Sequence, residues 1–330
     1  MATRYYDSGG TANTWSSANN WTANTLPVNG DIVILDGRAP ENITAGLDQT
    51  GVNLAALHIM PSFSGTIGAA TAPLTIECSG DMIIEGSGSY YIQCGNDVAD
   101  ADVARTIINV VNTVQLSSQK NASGGNVAIF TDIIVQNGTV LLYGNADSAQ
   151  STLDNESGTA YTNLYVTPRP GSSPTVTIGD HCEDLKNAVA GTIYQSGGTV
   201  NNYSDIGTLY LYKGTFNCGG TAYDMDADDD NIATLKQFDG TFVWKPTNTG
   251  ATPDNASESP AITTAHLFGG RFDGTDMLST STTAPTVTTC NLYHGATLDI
   301  SSQYSNFIIS TLNNFGGAII TSSKQSLTLS

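Results

Sequence analysis

TLYLYKGTF, from Thr208 to Phe216, decides the fold, because five variants of it recur in the second half of the 330-residue chain. Each copy has a Thr, an apolar residue, two variable positions, usually an aromatic residue, one variable position, a Gly, one variable position and usually an apolar residue. The six copies are TIYQSGGTV (192–200), TLYLYKGTF (208–216), TLKQFDGTF (234–242), TAHLFGGRF (264–272), TCNLYHGAT (289–297) and TLNNFGGAI (311–319). Their glycines, at 198, 214, 240, 270, 295 and 317, lie 16, 26, 30, 25 and 22 residues apart.

Repeats of this length predict a solenoid, because one unit cannot bury its own apolar face and must stack on its neighbours. Positions two and four share one face of a strand and position five lies on the other, so the chain is predicted to turn a corner there. Gly at position seven reaches positive φ, and position nine returns to the interior. We therefore predict an all-β, single-chain parallel β-helix, or β-solenoid, with a right-handed coil expected. Unrelated hairpins of a β-sandwich, the alternative, predict no shared phrase.

The composition and the first half agree with an extended β protein. Of 330 residues, 34 are Gly and only 12% are charged, which favours strands and turns over helices. Alternating or apolar runs predict strands at 31–35, 54–60, 74–78, 82–85, 90–94, 106–111, 127–130 and 133–143. We predict an N-terminal cap over 1–36, a first solenoid half over 37–143, a polar loop over 144–190, and repeats with a C-terminal assembly strand over 191–330. The stretch 144–174 also fits an inserted loop or a boundary between two stacks.

The N-terminal segment carries the pattern W-x4-NW, then Pro, then D-x-V-x-I, formed by Trp15, Asn20, Trp21, Pro27, Asp31, Val33 and Ile34. The end of a solenoid exposes strand edges and core side chains, and two Trp rings suit a cover for it. This segment resembles the opening of bacterial autotransporter-type and phage-borne β-helical proteins. The resemblance implies the fold and the end cap, and it transfers no catalytic residue.

Four of the five cysteines, Cys78, Cys94, Cys218 and Cys290, lie on the apolar parity of predicted strands. They are expected to be buried thiols that pack as small hydrophobic side chains, and a disulfide between Cys78 and Cys94 stays open. The first residues hold no apolar run, so we expect no signal peptide, folding in a host cytoplasm and no membrane association.

The net charge of −19, with 11 Lys and Arg, makes nucleic acid an unexpected partner, because binding it requires clustered cations. One acidic loop is a possible calcium site, since alternating carboxylates supply hard oxygen ligands: Asp224, Asp226, Asp228 and Asp230. An EF-hand is excluded, because its sixth position is Asp229 in place of Gly and its twelfth is Leu235 in place of Glu. A solvated acidic loop is the alternative.

Catalytic residues are not predicted. A glycosidase needs two carboxylates facing each other across a groove. The acidic residues near repeat corners, Asp239, Asp273 and Asp276, lie beside Arg271 and are possible groove residues, but aspartates next to glycines are also ordinary turn formers. The four histidines, at 58, 181, 266 and 294, are scattered. We expect no enzyme and no cofactor beyond the possible calcium.

These features favour a phage virion structural protein on the particle surface, most specifically a capsid decoration, or cement, protein that stabilises the capsid. Its expected partners are the major capsid protein or another virion protein, and other copies of itself. A tailspike that contacts host-surface glycan is the first alternative, and a bacterial adhesin or polysaccharide-acting enzyme the second. The alternating strand at 326–330 carries no cap, so we predict that this end packs against another subunit, with a trimer expected.

Overall fold

A computed structural model describes residues 1–11, 13–94, 103–118, 130–142, 161–179, 191–202, 205–219, 231–245, 261–275, 286–301, 307–321 and 328–329. The chain forms two compact units. The first comprises Met1–Leu164 and Pro168–Val176, and the second comprises Tyr165–Thr167 and Thr177–Ser330. In both units the strand pairings of defined register are parallel, which confirms the predicted all-β solenoid class.

The first unit contains nine strands in its described residues, β1 Thr3–Tyr5, β2 Ile32–Leu35, β3 Asp48–Leu54, β4 Ala56–Ile59, β5 Leu74–Cys78, β6 Asp81–Ile84, β7 Tyr90–Cys94, β8 Val103–Ser118 and β9 Phe130–Leu142. One ladder runs β1–β2–β4–β6–β8, and another runs β3–β5–β7–β8. The long strand β8 joins both ladders and pairs with β9. Two 3-10 helices, Ala18–Asn20 and Thr22–Asn24, precede β2.

In the second unit, each rung has two strands. The first strands are β12 Thr192–Gln195, β14 Ile206–Leu211, β16 Ile232–Gln237, β18 Ala261–Leu267, β20 Thr286–Tyr293 and β22 Ile308–Phe315. The second strands are β13 Thr199–Asn202, β15 Thr215–Cys218, β17 Thr241–Trp244, β19 Gly270–Asp273, β21 Ala296–Ile300 and β23 Ala318–Thr321. Strand β24, Thr328–Leu329, pairs with the start of β22. Each strand pairs with its equivalent in the next rung.

The register of these rungs follows the repeated phrase. The position-one threonines pair in sequence, in the order Thr192, Thr208, Thr234, Thr264, Thr289 and Thr311. Positions two and four of the first five copies are buried, and the glycine at position seven of each has positive φ, between 70° and 99°. The predicted corner and inward face are therefore confirmed in these copies.

The last two copies depart from the predicted alignment. In the fifth, Leu298 and not Thr297 pairs with Phe272, because the corner holds one additional residue. In the sixth, the positive φ of 104° falls on Gly316 and not on Gly317. A corner needs one left-handed residue, and the pair Gly316-Gly317 offers two positions for it.

Three further predictions need correction. A strand, β1, lies inside the predicted cap and pairs with β2, so the stack begins before residue 31. The predicted strand 54–60 is two strands, β3 and β4, separated by Ala55. The predicted polar loop 144–190 contains β10 Tyr161–Val166 and β11 Thr175–Ile178, whose alternate side chains are buried.

The two tryptophans of the W-x4-NW motif are buried in the first unit. The rings of Trp15 and Trp21 meet edge to face with centroids 4.7 Å apart, and Tyr6 packs edge to face on Trp21 at 5.3 Å. The indole Nε1 of Trp21 donates to the Trp15 carbonyl at 2.7 Å. Asn20 is also buried, and its amide donates to the carbonyls of Thr11 and Thr14. These contacts tie the segment before β2 into the core.

The four cysteines that the described residues include are buried free thiols, as predicted: Cys78, Cys94, Cys218 and Cys290. Cys78 and Cys94 form no disulfide. Burial raises the pKa of the Cys78 thiol to about 11 and that of Cys290 to about 12. A raised pKa keeps each thiol neutral, which suits a hydrophobic packing role.

Candidate functional site

A column of aromatic side chains lies on the outer surface of the second unit. We call it the aromatic ladder, and it consists of the position-five residues Tyr212, Phe238, Phe268, Tyr293 and Phe315. Position five lies opposite in parity to the buried positions two and four, so each ring points to solvent. Tyr212, Phe238, Phe268 and Phe315 are 43%, 41%, 38% and 58% exposed. Large apolar side chains exposed together are typical of an interaction surface.

The rings of the aromatic ladder stack face to face. Successive centroids lie 5.0, 5.1, 4.7 and 5.0 Å apart, and the ring planes deviate from parallel by only 11° to 19°. These distances match the spacing of about 4.8 Å between paired strands. Each inner ring therefore has both faces covered by its neighbours, and only the ring edges are presented to a partner.

A second column adjoins the aromatic ladder. The position-three rings of Tyr194 and Tyr210 stack at 4.9 Å, and Tyr165 stacks on Tyr194 at the same distance. Tyr210 reaches the ladder through Tyr212, with centroids 6.4 Å apart. In the next rung Lys236 lies with Nζ 4.9 Å from the centroid of the Tyr210 ring, a cation–π contact. The aromatic surface thus continues along two adjacent columns.

Buried glutamines hold the corner beneath the ladder. The Nε2 of Gln195 donates to the carbonyls of Gly198 and Thr215, at 3.1 and 3.0 Å. In the third copy the Nε2 of Gln237 donates to the carbonyls of Gly240 and Arg271, at 3.1 and 2.9 Å. Each glutamine so links the corner of its own rung to the following rung. The ladder is consequently mounted on a fixed backbone.

The predicted groove carboxylates are engaged in turns and ion pairs. Asp273 accepts hydrogen bonds from the amide and hydroxyl of Thr275, and Asp299 accepts the same pair from Ser301. Arg271 lies between the two, with its Nη2 3.2 Å from Asp273 Oδ2 and 2.8 Å from Asp299 Oδ2. This arrangement is a structural clamp between two rungs. Asp239 is exposed beside the ladder, and Asp276 lies outside the described residues.

The predicted calcium ligands also lie outside the described residues: Asp224, Asp226, Asp228 and Asp230. Within the part of the chain that the structure describes, no group of three or more His, Cys, Asp and Glu side chains is arranged to hold a metal ion. The same residues contain no helix that is both long and apolar enough to span a membrane.

Two histidines border the aromatic ladder. His266, at position three, stacks on Phe268 with centroids 6.0 Å apart, and its Nδ1 lies 3.4 Å from Asn291 Nδ2. Partial burial, with a smaller effect of the nearby Lys236 ammonium, lowers the pKa of His266. His294, at position six, is exposed next to Tyr293. His58 lies in β4 of the first unit, and His181 falls outside the described residues.

Sequence reasoning placed the aromatic residue at the corner but assigned it no role. The signal was present, because an aromatic residue occupies position five in five of six copies. It also missed Asp299, although Asp299-Ile300-Ser301 repeats the spacing of Asp273-Gly274-Thr275. The fold and the site define a β-solenoid scaffold with an aromatic surface. No protein family, curated protein or solved structure matches this chain significantly.

Proposed function

We propose that this protein is a structural component of a phage particle exterior, most specifically a capsid decoration protein that binds the capsid surface and stabilises it. The observation that carries the proposal is the aromatic ladder, a preformed apolar strip on a stacked backbone. A surface that is already ordered loses little conformational entropy when a partner binds. Such a strip suits a permanent attachment between proteins.

The virion setting rests on two properties of the sequence. The opening segment resembles that of phage-borne β-helical proteins, and the net charge of −19 with 11 basic residues disfavours nucleic-acid contact. The partners we propose are the major capsid protein or another virion protein, together with further copies of this chain. The trimer expected from the C-terminal strand belongs to this proposal.

The ladder geometry favours a protein partner over a glycan. Aromatic platforms bind ligands through open ring faces, whereas the faces of the inner rings here cover one another at 4.7 to 5.1 Å. The carboxylates nearest the corners, Asp273 and Asp299, are bonded to Arg271 and to turn residues. A glycan-binding tailspike and a polysaccharide-acting enzyme therefore stay second to the structural role.

Immunogold electron microscopy tests the proposal. Particles would be purified from cultures that express the gene and labelled with an antibody against this chain. We expect gold on the particle heads, lost when Phe268→Asp is introduced and retained when Val111→Asp places the same charge on an exposed apolar site of the first unit. Label confined to tails would favour the tailspike alternative, and label confined to the bacterial envelope would contradict a virion role.

A further inference from the structure

We propose that the aromatic ladder is the contact between two copies of this chain, related by a two-fold axis through Phe268. The inference rests on the proposed role as an assembly protein and names one partner of that surface. Three properties of the described residues lead to it, namely the spacing of the rings, the distribution of charge beside them and the constant length of the corner.

The spacing of the rings selects a partner with the same repeat. Four successive steps of about 5 Å separate Tyr212 from Phe315. A strand running along the ladder repeats its side chains every 6.4 to 6.8 Å, and an α-helix has a pitch of 5.4 Å, so both lose register over five rings. A second copy has the identical spacing. It keeps every ring opposed to a ring over the whole length.

The residues that follow the rings have a charge pattern suited to an antiparallel pair. At position six, the second to sixth copies have Lys213, Asp239, Gly269, His294 and Gly316. Phe268 is the third of the five rings, so a two-fold axis there sets Phe238 opposite Tyr293 of the second copy. Asp239 then faces His294 of the second copy, twice in each pair. Lys213 faces Gly316, and the small Gly269 lies at the centre.

A parallel arrangement about an axis along the stack has the opposite effect. Equal rungs would meet, so that each Lys213 faces Lys213 and each Asp239 faces Asp239 of a neighbouring copy. In a chain of net charge −19, such like-charge contacts add to the general repulsion between copies. The ladder therefore favours a two-fold pair over a three-fold one.

The corner that carries the ladder is also free of inserted residues. Each gap in the described second unit after residue 205 falls at or beyond the end of one rung's second strand. The ladder corners, by contrast, join the two strands within a rung through two to four residues. Variation in rung length is thus confined to the far end of the rung, and the ladder stays continuous.

Analytical ultracentrifugation of the purified chain tests the pairing. We expect a species of twice the 34.4 kDa chain mass. Phe268→Asp places two carboxylates together at the two-fold axis and is expected to weaken the pair at least about a hundredfold. Val111→Asp, the matched control in the first unit, should keep the pair, because Val111 is a 76% exposed apolar residue away from the ladder.

A charge exchange tests the two-fold geometry itself. Asp239→Lys should weaken the pair about tenfold, and adding His294→Asp to it should restore the pair, because the two changes exchange the charges that face each other. Phe268→Cys provides a check that tolerates altered folding. Diamide, which oxidises two thiols to a disulfide and is itself reduced, should cross-link Phe268→Cys into dimers and leave Val111→Cys uncross-linked.

Three results would overturn the inference. They are a wild-type monomer at high micromolar concentration, a pair that survives Phe268→Asp, and a trimer that Phe268→Asp dissociates. None of them overturns the proposed virion role, because a monomer can still decorate particle heads. Conversely, a dimer that never labels particles would leave the pairing intact and contradict only the virion role.

Discussion

The two units use aromatic side chains in opposite ways. In the first unit Trp15, Trp21 and Tyr90 are fully buried and meet their neighbours inside the core. In the second unit the position-five rings are exposed in one column, and buried rings such as Phe242 occupy position nine. The difference teaches that a solenoid with regular corners can support an ordered aromatic surface, because each corner places its ring directly over the last.

The rings of the first unit compensate for irregular chain paths. The hydroxyl of Tyr90 accepts a hydrogen bond from the Gly88 amide at 2.9 Å and donates to the Phe63 carbonyl at 3.3 Å. Trp21 similarly bonds to the Trp15 carbonyl. A ring with a polar atom can satisfy backbone groups that no neighbouring strand reaches. The ladder rings have no such duty, since strand pairing satisfies their corners.

The largest effect that would break this comparison is expected from Trp21→Ala. Removing a fully buried Trp leaves a cavity and an unbonded Trp15 carbonyl, so the free energy of unfolding should fall by about 3–5 kcal/mol. Phe238→Ala, the matched ladder variant, should cost about 1 kcal/mol, because its ring is already 41% exposed. Urea denaturation followed by circular dichroism measures both. Equal losses would contradict the division into buried and surface rings.

Thiol labelling tests whether exposed rings leave the second unit's interior as closed as that of the first. The pKa of Cys290 is raised from 9.0 to about 12 by burial, which reduces the thiolate about a thousandfold at pH 8. Cys290 and Cys78 should both resist maleimide until urea is added, whereas an added Val111→Cys should react at once. Rapid labelling of Cys290 in native protein, located by mass spectrometry, would show that the interior beneath the ladder is open.

Glycine replacement compares a corner of each unit. A Cβ at Gly240 would lie 2.6 Å from the Gly214 carbonyl oxygen, at a φ of 78°, whereas Gly51 has a similar φ of 86° and open space around it. We expect Gly240→Ala to lower the free energy of unfolding by about 3 kcal/mol and Gly51→Ala by about 1 kcal/mol. Thermal melts of the two variants give the comparison. A larger loss for Gly51→Ala would contradict close corner stacking in the second unit.

The smallest effect concerns pH. The pKa of His266 is lowered in the folded protein, so its neutral form contributes stability that is complete above the unfolded value of about 6.5 and is lost as the pH falls from there through the folded value. His266→Asn, which matches Asn291 and Asn313 in the following rungs, should flatten the stability profile between pH 7 and 5. His294→Asn is the control. An unchanged profile in His266→Asn would assign the pH dependence to other groups.

Much of the second unit could be predicted from its sequence, because its repeat is local and its register is carried by identical residue types. The errors fall where that regularity ends. The extra corner residue before Leu298 looked like part of the phrase, and β10 was hidden in a polar stretch, since Tyr161 and Leu164 fall out of strict alternation. The acidic loop at Asp224 was singled out by composition, and its calcium assignment stays a prediction.

The sequence by itself determined the stacked parallel class, the corner glycines, the inward positions and the burial of four cysteines. All of these follow from periodicity and parity, which are properties of neighbouring residues. Only the tertiary structure decided that the aromatic residues form one column, that β1 extends the stack, and that Arg271 joins Asp273 to Asp299. Those features depend on which rung lies above which, and residues more than twenty positions apart meet only after the chain has coiled.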